Sequence, residues 1–355
     1  MILCPALIAG GLERVLSVLS NTMVSHYDEV TYITWYDLPV FYDIDKRVRI
    51  VCAEKKSGSH SLCKRMKWLR QYVKEEKPDI MVSFSTPFNM ISLVALLGLG
   101  IKVVVSERND PAHFRRGWLA RIARNILYLK ADGLLVQTET SKKHLWKPLS
   151  KRAVVIPNPV MIDSDILGNA LRAEKEHIIL TASRLVPQKR NDLLIKVFAC
   201  FSKTHPKYKL YIYGDGPERE KLIQQISDLG IEDRAYLPGS ITNLWERMLN
   251  VEIFVMTSEY EGMSNSLLEA MTLGLPCIST KVSGALDIIK DGINGLLIDI
   301  NDEKALLNAM TLLADHSDTR ERLGKQARLI ADEYHFMKVS GLWMDYIDIK
   351  IKSNR

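Results

Sequence analysis

The sequence predicts an α/β protein of two domains, each a doubly wound, mostly parallel sheet with helices on its faces. Three observations lead there. Short apolar runs rich in Val and Ile alternate with longer stretches of helical periodicity along nearly the full chain, the pattern of repeated βαβ units. At 355 residues the chain is too long for one ordinary core. The alternation stops once, at Pro157-Asn-Pro159, and resumes after a polar stretch that ends near Glu176.

The elements follow in order. Residues 2–9 read as an apolar strand running into Gly10-Gly11, with Leu12, Val15, Leu16, Val18 and Leu19 on one face of a following helix. Paired glycines between strand and helix let a backbone approach a ligand, although an ordinary tight turn looks the same. Strands are expected at 30–36, 48–52, 79–85, 102–106, 133–138 and 153–156, and helices at 62–74, 86–97, 115–130 and 140–149. This gives a first domain over 1–160 and a linker over 161–176. In the second domain, 177–334, strands are expected at 178–181, 209–213, 235–237, 251–256, 277–280 and 295–298. Helices are expected at 192–202, 219–229, 264–273, 302–315 and 318–333. A last helix, 335–355, carries Trp343 and Tyr346 beyond the final strand.

Residues 80–101 are uncharged, long enough to raise the question of a membrane span. They also hold Ser83, Ser85, Thr86, Pro87, Asn89 and Ser92, so strand, turn and buried helix are expected instead. No charged segment followed by an apolar run opens the chain, so no secretory leader is expected. The five cysteines make no Cys-x-x-Cys and no zinc spacing, which fits a reducing cytoplasm. Neither a metal site nor a Ser-His-Asp arrangement stands out, so no cofactor and no divalent metal are expected.

The most informative stretch runs from Val251 to Thr280. An apolar strand gives way at Gly262 to a helix with Leu267, Leu268 and Met271 on its packed face. Ser264 or Ser266 can cap the first amides, and Ser266-Leu-Leu-Glu269 fits a capping box. A helix starting at a strand's C-terminal edge is an anion site, most often for phosphate. Carboxylates flank it, Glu261 in the loop and Glu269 inside the helix, each able to accept hydrogen bonds from hydroxyls. A diphosphate with hydroxyls on both sides is a nucleotide sugar. Taken alone, the pair is equally explained by a helix cap and a solvated loop carboxylate.

Glu261-Gly-Met-Ser-Asn-Ser-Leu-Leu-Glu269, followed by Leu273-Gly-Leu-Pro-Cys-Ile-Ser-Thr280, resembles the Glu-x7-Glu signature of retaining, GT-B-fold nucleotide-sugar glycosyltransferases, glycosyltransferase family 4. The resemblance extends over nearly the full chain. It implies two Rossmann-like domains facing across a cleft, with the last helix crossing back to the first domain. Arg184-Leu-Val-Pro-Gln-Lys189 is similar to the family's diphosphate-binding pair, although two solvated loop cations would read alike. The resemblance assigns Glu261, Arg184 and Lys189 to catalysis. It places Gly10, Gly11, Gly214, Ile241, Met263, Ser264, Asn265 and Glu269 around the donor. Glu269 would meet the ribose and Glu261 the sugar. Glu107 and Arg108 end a first-domain strand and are candidates for the acceptor or sugar. Arg108 stands where many family members have His, and arginine stays protonated, so it is no base.

What the resemblance implies is transfer from a nucleotide sugar, of the UDP type, to a glycan acceptor carried on a polyprenyl diphosphate. The setting would be bacterial cell-surface polysaccharide assembly, and the enzyme a hexosyl- or N-acetylhexosaminyltransferase. A nucleotide-sugar epimerase or a non-catalytic GT-B partner subunit could share the architecture. The first should lack the Arg184/Lys189 and Glu261/Glu269 set, and the second usually loses motif residues.

Charge is uneven: residues 1–160 carry 24 Lys/Arg against 14 Asp/Glu, and the remainder 24 against 28. Two first-domain stretches are basic and acid-free. One holds Lys55, Lys56, Lys64, Arg65, Lys67, Arg70 and Lys74; the other holds Arg115, Arg116, Arg121, Arg124 and Lys130. In the second, Trp118, Ile122, Ile126 and Leu129 share one helix face. Either those faces pack on the sheet with solvated cations, or they dock on an anionic membrane surface. The expected location is the cytoplasm, with peripheral contact at the inner face of the membrane. No nucleic-acid motif accompanies the charge.

Overall fold

The computed structural model describes every residue except 115, 116, 163, 171, 172, 354 and 355. The chain divides into two compact units, Met1–Pro159 with Phe336–Arg355, and Val160–His335. Both are doubly wound parallel sheets.

In the first unit the strands are β1 (Ile2–Cys4), β2 (Thr31–Thr34), β3 (Arg49–Cys52), β4 (Ile80–Phe84), β5 (Lys102–Ser106), β6 (Gly133–Val136) and β7 (Ala153–Val155). They lie in the order β3-β2-β1-β4-β5-β6-β7, every pair parallel. The second unit holds β8 (Glu176–Ala182), β9 (Lys209–Tyr213), β10 (Ala235–Gly239), β11 (Val251–Met256), β12 (Cys277–Thr280) and β13 (Leu296–Ile298). Their order is β10-β9-β8-β11-β12-β13, again parallel. In each sheet the order reverses at one place, between β1 and β4 and between β8 and β11. That switch point, at the strands' C-terminal ends, is where such sheets hold ligands.

Both faces of each sheet are covered, so the strands read as continuous apolar runs. Val251–Met256 is buried at all six positions. The uncharged 80–101 stretch is β4 followed by the Thr86–Ala95 helix, and among the described residues no helix is long and apolar enough to cross a membrane. The Phe336–Lys352 helix belongs to the first unit. Its Trp343 is fully buried and stacks on Phe84 of β4, ring centroids 5.4 Å apart. Asp348 accepts from the Tyr27 hydroxyl at 3.0 Å.

Several expectations change. The strand expected over 2–9 stops at Cys4, since Pro5 has no N–H to continue the ladder. The helix expected over 140–149 is two short ones, Glu139–Lys143 and Lys147–Ser150, because Pro148 cannot donate back across the join. The stretch expected as a linker contains a helix, Ser164–Ala170, whose Ile166, Leu167 and Ala170 pack on the second unit's core. Short helices at Ala53–Ser57, Leu244–Met248 and Ser283–Ile288 were not expected.

Candidate active site

In the second unit the switch point brings together the loops after β8 and β11. Thr257 locks them, its hydroxyl donating to the carbonyls of Lys189 and Arg190 at 2.9 and 3.1 Å. Gln188 adds a side-chain bond to the Tyr260 carbonyl at 2.6 Å, and Glu259 N donates to the Gln188 carbonyl at 2.8 Å. So anchored, Lys189 and Glu261 meet as an ion pair although 72 residues separate them. Their side chains are 14% and 10% exposed, and Ser258 Oγ donates to Glu261 Oε1 at 3.2 Å. A small cavity between the loops is lined by Ser183, Lys189, Thr257, Ser258, Glu261 and Ser264, among others. Burial, and then the charge of the exposed Arg184, pushes the Lys189 ammonium down to about 7. Contact with the Glu261 carboxylate acts the other way.

The helix beyond the cavity is Asn265–Thr272. Ser264 is its N-cap, Oγ accepting from Leu267 N at 3.4 Å. The expected Ser266/Glu269 capping box does not form. Ser266 Oγ instead donates to the Ala182 carbonyl at 2.8 Å, tying the helix start to the end of β8. Glu269 is 3% exposed, two residues further into the helix than a box on the Ser264 cap would place it. Met263 is buried, and Asn265 and Ile241 are half-buried.

Gly214 and Gly216 have a packing reason. A Cβ on Gly214, at φ +128, would lie 1.9 Å from the Ser183 carbonyl oxygen, and one on Gly216 would lie 2.4 Å from that of Leu185. The glycines let the loop after β9 close on the backbone that carries Arg184. Gly284 does the same for the motif loop, its missing Cβ making room for the carbonyl of Gly262.

The first unit places its candidates at the ends of β1 and β5. Gly10 is the extended N-cap of the Gly11–Met23 helix, with the Glu13 carboxylate folded over it. Glu107 is buried, accepting from Thr86 Oγ1 at 2.6 Å and from the Tyr128 hydroxyl at 2.9 Å. Burial raises its carboxyl above the ordinary range. Arg108 is turned inward. It meets Asn158, lies 5.6 Å over the Phe84 ring, and is pushed down to about 9 by burial.

Sequence reasoning missed Ser85, which leaves β4 at φ 74. Such an outlier at a switch point is the kind of strain found at ligand sites, and serine gives no local signal of it. Thr257, Ser258 and Gln188 were missed too, because their partners are remote in sequence. Among the described residues no cluster of His, Cys, Asp and Glu is arranged to hold a metal ion. Of the basic stretches, Arg115 and Arg116 lie outside the described residues. Arg65 and Arg124 are buried, not solvated: Arg65 donates to the Trp35 carbonyl at 3.0 Å and Arg124 to that of Pro111 at 3.2 Å. The apolar face of the Gly117–Tyr128 helix points outward, so it does not pack on the sheet.

Comparison with known proteins agrees with this fold. The family model for glycosyl transferases group 1 matches residues 164–330, and that for Glycosyltransferase Family 4 matches residues 9–164. A Campylobacter jejuni α-1,4-N-acetyl-D-galactosaminyltransferase acting on a GalNAc-containing diphospho-undecaprenol is 27% identical over 96% of this chain and 95% of its own. A Staphylococcus aureus poly(ribitol-phosphate) α-N-acetylglucosaminyltransferase is 26% identical over 90% of this chain and 67% of its own. Among solved structures, Anabaena HepE in complex with UDP and glucose superposes with a TM-score of 0.81, 18% identity and 98% coverage of both chains. S. aureus TarM in a complex containing UDP gives 0.80, with 16% identity and 99% coverage of both. At these identities the structures speak for the fold.

Proposed function

This chain belongs to the glycosyltransferases of group 1 and family 4, with the GT-B fold, and from that membership we propose a retaining transfer from a UDP-sugar to a lipid-diphosphate-linked glycan. The observation that carries the reading is the meeting of Lys189 and Glu261 beside the Ser264-capped helix start. One cation, one carboxylate and the capping serine of the helix then face the same small volume.

In this reading the helix amides, Arg184 and Lys189 hold the diphosphate. Lys189 exchanges its Glu261 partner for a phosphate oxygen, which frees Glu261 for the hydroxyls of the transferred sugar. Glu269 takes the ribose hydroxyls, and Ile241 lies by the base. The bond from the anomeric carbon to the phosphate oxygen breaks as the acceptor oxygen bonds to that carbon from the same face. The acceptor's proton goes to the departing phosphate, so no protein nucleophile is required. Cations aimed at that leaving charge act in the transition state more than in the ground state. No protein-bound cofactor is needed.

The α-linked products and the undecaprenol-linked acceptor named for the relatives support retention, an N-acetylhexosamine donor and a lipid-linked acceptor; a hexose donor and a place at the inner membrane face belong to the same proposal. Gly10, Gly11 and Glu107 would lie toward the acceptor, while the inward packing of Arg108 gives it a positioning role. A panel of UDP- and GDP-sugars, each scored for hydrolysis and thermal stabilisation with and without EDTA, tests this. Selective stabilisation and slow hydrolysis of a UDP-sugar, unaffected by chelator, is expected. Preference for a GDP-sugar, or activity lost to EDTA and restored by manganese, overturns the donor assignment or the metal-free mechanism respectively.

A further inference from the structure

The Gly117–Tyr128 helix is turned the wrong way round for a helix of a soluble sheet protein. Trp118, Leu119, Ile122, Ile126 and Leu129 are 70, 64, 47, 55 and 37% exposed. At 3.6 residues per turn they fall within about 100° of arc, one continuous stripe. Arg124 and Tyr128 face the interior, 2% and 0% exposed. This orientation is held by buried bonds. Tyr128 donates to Glu107 at 2.9 Å and receives Asn89 Nδ2 at 3.0 Å, while Arg124 reaches the Pro111 carbonyl. Rolling the apolar stripe inward would break all of them. The adjoining Thr86–Ala95 helix leads to another exposed pair, Val94 and Leu97.

Scattered surface leucines need no explanation, but a contiguous stripe ending in an exposed tryptophan marks a docking face. We propose that this helix lies in the headgroup–acyl boundary of an anionic bilayer, with Trp118, Ile122 and Ile126 inserted.

Charge selects the bilayer over a protein partner. No acidic residue occurs between Asp110 and Asp132. The exposed Arg121 and Lys130 fall on opposite edges of the stripe, about 60° from its nearer side and about 20° beyond its farther side by the same geometry. Arg70 closes the end of the neighbouring helix on the carbonyls of Ala95 and Leu97, both at 2.8 Å, and Arg152 does so for Leu129 and Ala131 at 2.8 and 2.6 Å. Cations rimming an apolar stripe with tryptophan are the mark of an interfacial helix. Twelve residues reach about 18 Å, too short to span and suited to lying flat. The inference rests on the lipid-linked acceptor of the proposed function, for which it supplies the docking surface.

The test uses the full chain and sedimentable phosphatidylcholine vesicles with and without phosphatidylglycerol. The wild type should bind the phosphatidylglycerol vesicles, with a blue shift of tryptophan emission that Trp118→Phe removes. Ile122→Gln combined with Ile126→Gln should lower partition at least tenfold, since both apolar side chains leave the bilayer. Raising salt should weaken binding by screening the rim cations. UDP affinity, measured without lipid on the same preparations, should be equal in all variants. It reports the donor site by itself, so a failure there is distinct from a failure of docking. Absent vesicle binding, binding indifferent to the double substitution, or a wild-type dimer that the substitution makes monomeric would each overturn the proposal; the last would assign the stripe to a second copy.

Discussion

Lys189 makes the donor-site reading measurable through pH. Its side chain is 14% exposed against a Glu261 side chain that is 10% exposed. Burial, with Arg184 next, lowers its ammonium from 10.5 to about 7. The Glu261 carboxylate favours the charged form, so the midpoint in the free enzyme sits at or above about 7. If the leaving diphosphate needs that charge, kcat/KM falls as pH rises, about tenfold per pH unit past the midpoint. The fall levels off where the cation is lost altogether, about 100- to 1,000-fold down, the cost of removing one such group. Lys189→Met should sit on that floor at every pH. Lys189→Arg, an intrinsically stronger base, holds its charge to higher pH and should shift the limb upward. The assay is initial rate at subsaturating UDP-sugar between pH 6 and 9. Folding carries the same signature with its sign fixed: between about 7 and 10.5 the unfolded chain holds a proton that the folded chain has released, so this group makes stability rise with pH. A flat profile in the wild type, or superimposed wild-type and Lys189→Arg profiles, refutes the assignment.

Glu269→Ala should weaken UDP binding by about 1.5–3 kcal/mol, the range for hydrogen bonds to a charged acceptor; unchanged calorimetric affinity in the folded variant would remove Glu269 from the ribose. Gly214→Ala should cost about 3 kcal/mol, from an unfavourable φ and from overlap with the Ser183 carbonyl. Gly230→Ala, at φ +63 with open space around it, should cost only about 1 kcal/mol. Equal urea midpoints for the two would show that the Gly214 contact is not what requires glycine.

The βαβ frame of both units was legible because fully buried parallel strands have an apolar signature of their own, clearest in Val251–Met256. The loop after β11 was legible for a local reason: strand, Gly262, capping serine and amphipathic helix are contiguous. What was not legible came from distance. The pairing of Lys189 with Glu261 depends on β8 lying next to β11, with β9 and β10 on the far side. Nothing in either loop announces that neighbour. The need for glycine at 214 also lies in a backbone 31 residues earlier, at Ser183.

The first unit was harder to read because its polar residues are used inside. A pattern of apolar and basic residues fixes that a helix is two-faced but leaves open which face is inward. That choice was made by Glu107, which gives Tyr128 a buried acceptor, and by the Pro111 carbonyl, which does so for Arg124. Once those partners exist, the polar side of the Gly117–Tyr128 helix becomes the packed side. Arg108 follows the same logic. As a letter in the sequence it is a cation at a strand end. With Asn158 and the Phe84 ring around it, it belongs to the packing that fixes the end of β5. Arginine here, where the resembling family often has histidine, therefore acts on how the strand end is held.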